Sequence, residues 1–386
     1  MINFKVVTNF FFILVLASLP FFSIRVDYIP ISFSVLFLLI LAILVTMQSI
    51  LTLNIKKAFT SLDLLIFLYL ALVTCSLIFS NPNSEASLAF IKSVGYFLLY
   101  FFLKLTLINL SFEEIKSLLV KGAAYGLILF ATLVAYGFYK TGNYILFFQN
   151  FSYQESTFII FESLRTILGI NNEIGSKEIM RNATGEVFVF YFLIFLHFNN
   201  NNKLVRLIGM IASIFFTVYM FSRRTIGVII LSLVFQKGHY KYLLLSLILA
   251  GVVFTFIASP FEIRHLTLTD PARLWQYEQA ITLFTENPLI GHGYGYKLDD
   301  RQYIHNFILS SAVMLGTMGL VLSFLIFLNV CMKLYKFKHS TFIFLLIPIF
   351  GMLIGSSTEG LFTITSWIVL AITEVKYLNI IRRHEF

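Results

Sequence analysis

An imidazole beside an amide, and arginines set in apolar sequence, are the residues of this chain best suited to chemistry. His305-Asn306 stands at the start of a long apolar run. The ring accepts a proton near neutral pH, and the amide can orient a hydroxyl. A helix beginning there disfavours the imidazolium and keeps the ring neutral, which makes His305 the candidate general base. In isolation it would read as an interfacial polar residue, but Arg273 lies only one loop away. Asp270-Pro271 has the pattern of an N-cap followed by a first-turn proline, and Asn287-Pro288 that of a stop, so a helix is predicted over 271–286. Arg273 falls in its first turn, where unpaired N–H groups and the positive dipole end already favour an anion. Leu274, Tyr277, Ile281 and Phe284 recur at spacings of three and four, giving an apolar face that would lie along a membrane surface. Arg223-Arg224 interrupt apolar sequence between Phe221 and Ile226. Charges at membrane depth are expensive and functional by default, a snorkelling turn being the other reading. A base that can activate a hydroxyl, with guanidinium forks that grip phosphate, is equipment for group transfer from a phosphorylated donor.

Such groups need a scaffold, and composition says which kind. The 386 residues are 59% hydrophobic and 12% charged, whereas a soluble chain carries about 25% charged residues. At roughly 20 apolar residues per crossing, the apolar content supplies about eleven or twelve spans and leaves no soluble domain. Disorder, coiled coil and nucleic-acid binding are excluded on the same grounds. The expected fold is therefore all-α, a polytopic helical membrane protein forming one integral domain over 1–386. Twelve spans are read at 6–24, 29–53, 62–80, 88–110, 122–139, 185–198, 204–221, 225–236, 243–258, 305–331, 341–355 and 360–375. Cys75 and Cys331 lie inside apolar runs, which points to small packing residues rather than a disulfide or metal site. No Cys/His cluster has zinc-ligand spacing.

Putting the N-terminus inside places sixteen of the 28 Lys and Arg residues in inner connections, thirteen of them lysines, among them Lys104 and Lys333. The outer side then holds eight arginines (25, 165, 181, 223, 224, 264, 273 and 301) and four lysines. Lysine suffices to set topology, so the outer arginine excess points to phosphate recognition. Two outer segments are long, 140–184 and 259–304, and long loops on a rigid scaffold are where chemistry tends to sit. In the second, Gly291-His292-Gly293-Tyr294-Gly295 superficially matches a nucleotide-binding loop but follows no strand pattern, so its glycines are read as allowing a tight turn or a close approach to a ligand. Glu278, Glu286, Asp299 and Asp300 form no paired-carboxylate signature and are read as solvated.

In Arg273-Leu274-Trp275 with Ala280 and Asn287-Pro288-Leu289-Ile290-Gly291-His292-Gly293, in His305-Asn306 with Gly316 and Gly319, and in Ser222-Arg223, the chain resembles the O-antigen polymerase and ligase superfamily of bacterial inner-membrane glycosyltransferases. Arg181 through Gly185 is a weaker match. The resemblance implies an inverting, metal-independent transferase without a cofactor, using undecaprenyl-diphosphate-linked oligosaccharides on the periplasmic face, with both termini cytoplasmic. By the family pattern His305 activates the acceptor hydroxyl beside Asn306, Arg273 and Arg223 hold the diphosphate, and Arg224 and Arg181 are further candidates for it. The partners implied are the lipid-linked oligosaccharide, the membrane, a flippase and a chain-length regulator. The second loop is compact for a protein that must also dock lipid A core, which favours a polymerase over a ligase. A secondary transporter or flippase is the alternative from another class, but a flippase needs cations along its whole path, and here the unusual charges cluster on the outer face.

Overall fold

The computed structural model describes residues 4–21, 25–26, 29–32, 36–37, 39–44, 59–79, 84–141, 181–198, 202–219, 223–234, 271–298, 304–336, 340–354 and 363–384. In chain order the helices are α1 (Phe4–Ser18), α2 (Ser61–Phe79), α3 (Ser84–Ile108), α4 (Phe112–Thr141), α5 (Arg181–His197), α6 (Lys203–Tyr219), α7 (Arg223–Val234), α8 (Pro271–Glu286), α9 (Phe307–Lys336), α10 (Leu346–Ile354) and α11 (Ile364–His384). Short 3-10 turns cover Leu19–Phe21 and Ser340–Leu345, and an antiparallel ribbon joins β1 (Arg25–Val26) to β2 (Ile29–Ser32). Helix starts follow local chemistry. Ser111 and Glu114 form a reciprocal capping box before α4, with Glu114 accepting from Ser111 N at 2.9 Å, and Asn202 Oδ1 accepts from Leu204 N at 3.0 Å before α6.

The chain divides into two compact units, Met1–Leu44 with Ser111–Thr267, and Val45–Leu110 with Leu268–Phe386. The first is built around α5, whose residues Val187 to Leu196 are apolar on every side. A helix of that kind has to be buried, and each of Val187 through Phe195 is at most 1% exposed. α6 packs closely on it because Gly209 leaves room for Phe195, whose ring would lie 2.7 Å from an added Cβ. Phe130, Phe188 and Phe216 bring ring centroids within 4.9–5.1 Å and join α4, α5 and α6.

In the second unit α2 and α8 pack on α9, α3 packs on α11, and α10 contacts both α9 and α11. One end of this unit carries buried charge. Lys104 Nζ lies 2.6 Å from Asp63 Oδ2, Tyr100 donates to Asp63 Oδ1 at 2.5 Å, and Lys333 is ion-paired with Glu374 while its ammonium sits 4.9 Å from the Tyr377 ring centroid. Both lysines, counted among the inner connections, are buried in ion pairs. A carboxylate supplied by a neighbouring helix makes full burial tolerable, and no single-helix pattern reveals it.

Among the described residues, α2, Ala89–Ile108 of α3, Phe112–Tyr136 of α4 and α9 are long and apolar enough to cross a membrane. Phe67, Ile91, Ile128 and Met332 are exposed on their flanks, as a lipid-facing surface requires. The run expected as a span from 29 opens instead on β2. Pro30 cannot donate inside a helix, and the β-branched Ile29 and Ile31 suit a short edge ribbon. Cys75 also departs from its reading, since it is exposed on α2 rather than packed in a core, and Cys331 is half-buried. The predicted span 243–258, Arg165 and residues 142–180 of the first long segment, and Asp270, Arg264, Asp299, Asp300 and Arg301 of the second lie outside the described residues.

Candidate functional site

The candidate site is built in the second unit from α8, the segment after it and the start of α9. Asn306 is the N-cap of α9. Its Oδ1 accepts from Leu309 N at 3.0 Å, its carbonyl accepts from Ser310 N at 2.9 Å, and its Nδ2 donates to the Leu353 carbonyl at 3.1 Å. The amide therefore fixes the helix start and ties it to α10, leaving one hydrogen and one lone-pair site for a hydroxyl. His305, half-buried, immediately precedes the cap and so stands at a helix start.

Ten residues further along, α9 breaks. Gly316 has φ 65 and ψ −154, a conformation essentially reserved for glycine. The break frees backbone groups in the middle of an apolar helix, and each must find a partner where there is no water. The segment after α8 supplies them: His292 N donates to Val313 O at 2.8 Å, Gly293 N to Met314 O at 3.0 Å, and Thr317 N donates to Pro288 O at 2.7 Å. Gly291, with φ 75, comes so close that an added Cβ would lie 2.6 Å from Gly316 N. What Gly291 approaches is thus the backbone of α9, whereas Gly295 lies against Ala86 of α3. His292 has a structural part, its Nε2 donating to the Leu283 carbonyl at 2.8 Å. Tyr294 N donates to Ser76 Oγ at 2.9 Å and anchors the segment on α2. Gly316→Ala is expected to destabilise the protein by ~1–3 kcal/mol through backbone strain alone, with further loss from the clash with Leu289. A melting temperature in detergent equal to that of the wild type would show that the break is not fixed in this way.

α8 presents two faces. Gln276 and Ala280 are buried and pack toward α9 with Trp275, Leu283 and Phe284, around Leu298, Ile304 and Val313. Leu274 and Ile281, from the predicted apolar face, are exposed, as are Leu289 and Ile290 after the helix. Such a face suits contact with lipid. Arg273, half-buried, lies one turn before Gln276, on the same side of α8. Gln276 Oε1 accepts from His305 N at 3.5 Å. Gln276, which sequence reasoning missed, thus ties α8, one turn after Arg273, to the main chain at His305. A glutamine in a half-polar helix gives no signal until its partner is known. Glu278 and Glu286 are exposed.

The other sequence-predicted cations belong to the first unit. Arg181 begins α5 and Arg223 begins α7. Arg224 is buried and ion-paired with Glu186, which is buried as well. Glu186 is the second residue that sequence reasoning missed, although a lone carboxylate opening a wholly apolar run was a usable signal. Comparison with protein-family models and with curated proteins finds no match to this chain.

Proposed function

We propose that this protein belongs to the O-antigen polymerase and ligase superfamily and acts as a surface-polysaccharide polymerase of the bacterial inner membrane. The observation that carries this reading is the pairing of α8, which has Arg273 in its first turn, with the start of α9 at His305, joined by the hydrogen bond from His305 N to Gln276 Oε1. Twelve spans with both termini in the cytoplasm put that pairing on the periplasmic face, where lipid-linked repeat units are displayed. The outer excess of arginine over lysine supports the same placement.

In this reaction an acceptor sugar hydroxyl gives its proton to His305 while its oxygen attacks the anomeric carbon of the donor. The bond from that carbon to the diphosphate breaks, undecaprenyl diphosphate leaves with the electron pair, and the configuration inverts. The leaving group is already activated, so no cofactor is needed, and its growing negative charge needs cations more than a proton. A preorganised guanidinium in a partly dry site supplies ~10²–10³ in rate, by analogy with a single oxyanion donor. Arg273 has that part, while Arg181, Arg223 and Arg224 give the first unit cations for the same class of anion. A chain-length regulator and a flippase are the partners such a step requires.

Arg273→Lys is expected to lose most activity although charge is kept, because a point charge cannot replace a planar fork. A fully active lysine variant, measured by transfer from a lipid-linked donor, would remove the bidentate contact. The reading as a whole is tested by surface glycan from a deletion strain on a gel that resolves repeat-unit ladders. Lipid A core capped with a single unit, with a ladder restored by the wild-type gene, supports the polymerase. Bare core with polymer accumulating on the lipid carrier identifies a ligase, and an unchanged ladder turns the reading to a transporter or flippase.

A further inference from the structure

The ion pair between Arg224 and Glu186 lies where two helices of the first unit begin, and its geometry fits more than a packing role. Arg224 is the second residue of α7 and Glu186 the sixth of α5. At about 1.5 Å per residue, the carboxylate stands only some 7.5 Å along its helix from the first residue. We propose that Glu186 is an exchangeable counter-ion, holding Arg224 in the resting protein and yielding it to a phosphate or diphosphate group that enters at the first turns of α5 and α7. The proposal takes the nature of the anion from the diphosphate reading above. The site itself follows from four observations in this unit.

Glu186 engages only one edge of the guanidinium, through Nη2, and the Nε of Arg224 is buried with no hydrogen-bond partner among the described residues. A phosphate oxygen set can meet Nε and an Nη atom together, which the present contact does not do. The hydroxyl of Thr184, in the first turn of α5, is fully buried and likewise without a partner among the described residues. It is a donor waiting for an acceptor. Both helices direct their positive dipole ends toward their starts, which favours an anion there. A carboxylate is the anion a folded chain can itself supply to such a place, and without one Arg224 would be a buried uncompensated charge. Glu186 therefore stands in for the ligand, keeps the empty site folded and sets a threshold that only a more highly charged, multidentate anion overcomes.

The test uses the full-length protein in nanodiscs, titrated calorimetrically with inorganic pyrophosphate and, in a second arm, reconstituted with undecaprenyl diphosphate. Glu186→Gln removes the competitor and should bind pyrophosphate roughly tenfold more tightly than wild type, one charge-assisted contact being worth about a decade. Arg224→Gln should abolish that gain, and Thr184→Val should weaken binding several-fold. Tightening in both arms places the headgroup alone in the site, and tightening only with the lipid shows that the chain is needed to deliver it; either supports the counter-ion. Equal or weaker binding by Glu186→Gln in both arms overturns the proposal and leaves Glu186 a structural partner. If Glu186→Gln does not fold, Glu186→Asp, shorter by one methylene, should tighten binding in the same direction, and failure to do so overturns the proposal equally. Unchanged binding together with a ladder lost in His305→Ala would sink the counter-ion alone. Tighter binding with a ladder that survives His305→Ala would sink the polymerase reading and leave the anion site standing.

Discussion

His305→Ala is expected to leave a folded, membrane-inserted protein whose transfer rate falls by about 10²–10⁴, the usual contribution of a positioned general base. The expectation of intact folding comes from the main chain at His305 and from its neighbour. Its main-chain N–H, which alanine keeps, donates to Gln276, and the capping of α9 is done by Asn306 next to it. The ring is half-buried rather than part of the core of Ala280, Leu298, Ile304 and Val313. Loss of the imidazole should therefore show in turnover and hardly in melting temperature. Asn306→Ala should behave in the opposite way. It removes an N-cap, at a loss of about 0.5–2 kcal/mol, together with the tether to Leu353, so stability and rate would fall together. Complementing a deletion strain with each variant and comparing ladder length with the amount of protein in the membrane separates the two cases. A wild-type ladder from His305→Ala would reduce the residue to an interfacial anchor and take the general-base chemistry with it.

How far the sequence could carry this reading depended on the range over which each signal acts. The starts of α4, α6 and α9 follow from Ser111, Asn202 and Asn306, side chains that satisfy N–H groups two or three residues away. The burial of α5 follows from its all-round apolar surface. Local patterns of that kind are complete within a dozen residues. Gly316 and Gly291 were visible only as glycines. That one breaks a helix and the other seats a segment in the break depends on the 24 intervening residues folding back. The burial of Lys104 and Lys333 was hidden for the same reason, because a lysine near the end of an apolar run shows no partner until a distant Asp63 or Glu374 is brought against it. The candidate residues for chemistry were easier to see than the residues around them. His305, Arg273 and Arg224 stand out by type in apolar sequence, whereas Gln276 and Glu186 acquire meaning only through a partner on another helix.

The pair of Lys333 and Glu374 gives the largest expected effect on stability. Both side chains are buried, on α9 and α11, and the ammonium also faces the ring of Tyr377. Glu374→Ala strands a lysine in an apolar interior, and breaking such a pair on one side typically destabilises by about 3–5 kcal/mol. Lys333→Ala strands the carboxylate and should do similar damage, since Glu374 has a second oxygen that is buried without a partner among the described residues. Removing both charges is a different matter. Lys333→Met with Glu374→Leu keeps the volume and eliminates two desolvation penalties, so the double variant should recover most of the loss and lie within ~1–2 kcal/mol of wild type. Unfolding in mixed micelles, followed for the two single variants and the double, reads this directly as a coupling energy. Losses that simply add would show that the two charges do not sense each other, and the ion pair would then have no part in joining α9 to α11. Recovery of stability without recovery of the glycan ladder would mean instead that the charges are retained for function. The end of α9 that carries Lys333 would then be coupled to His305, 28 residues before it and on the other side of the break at Gly316.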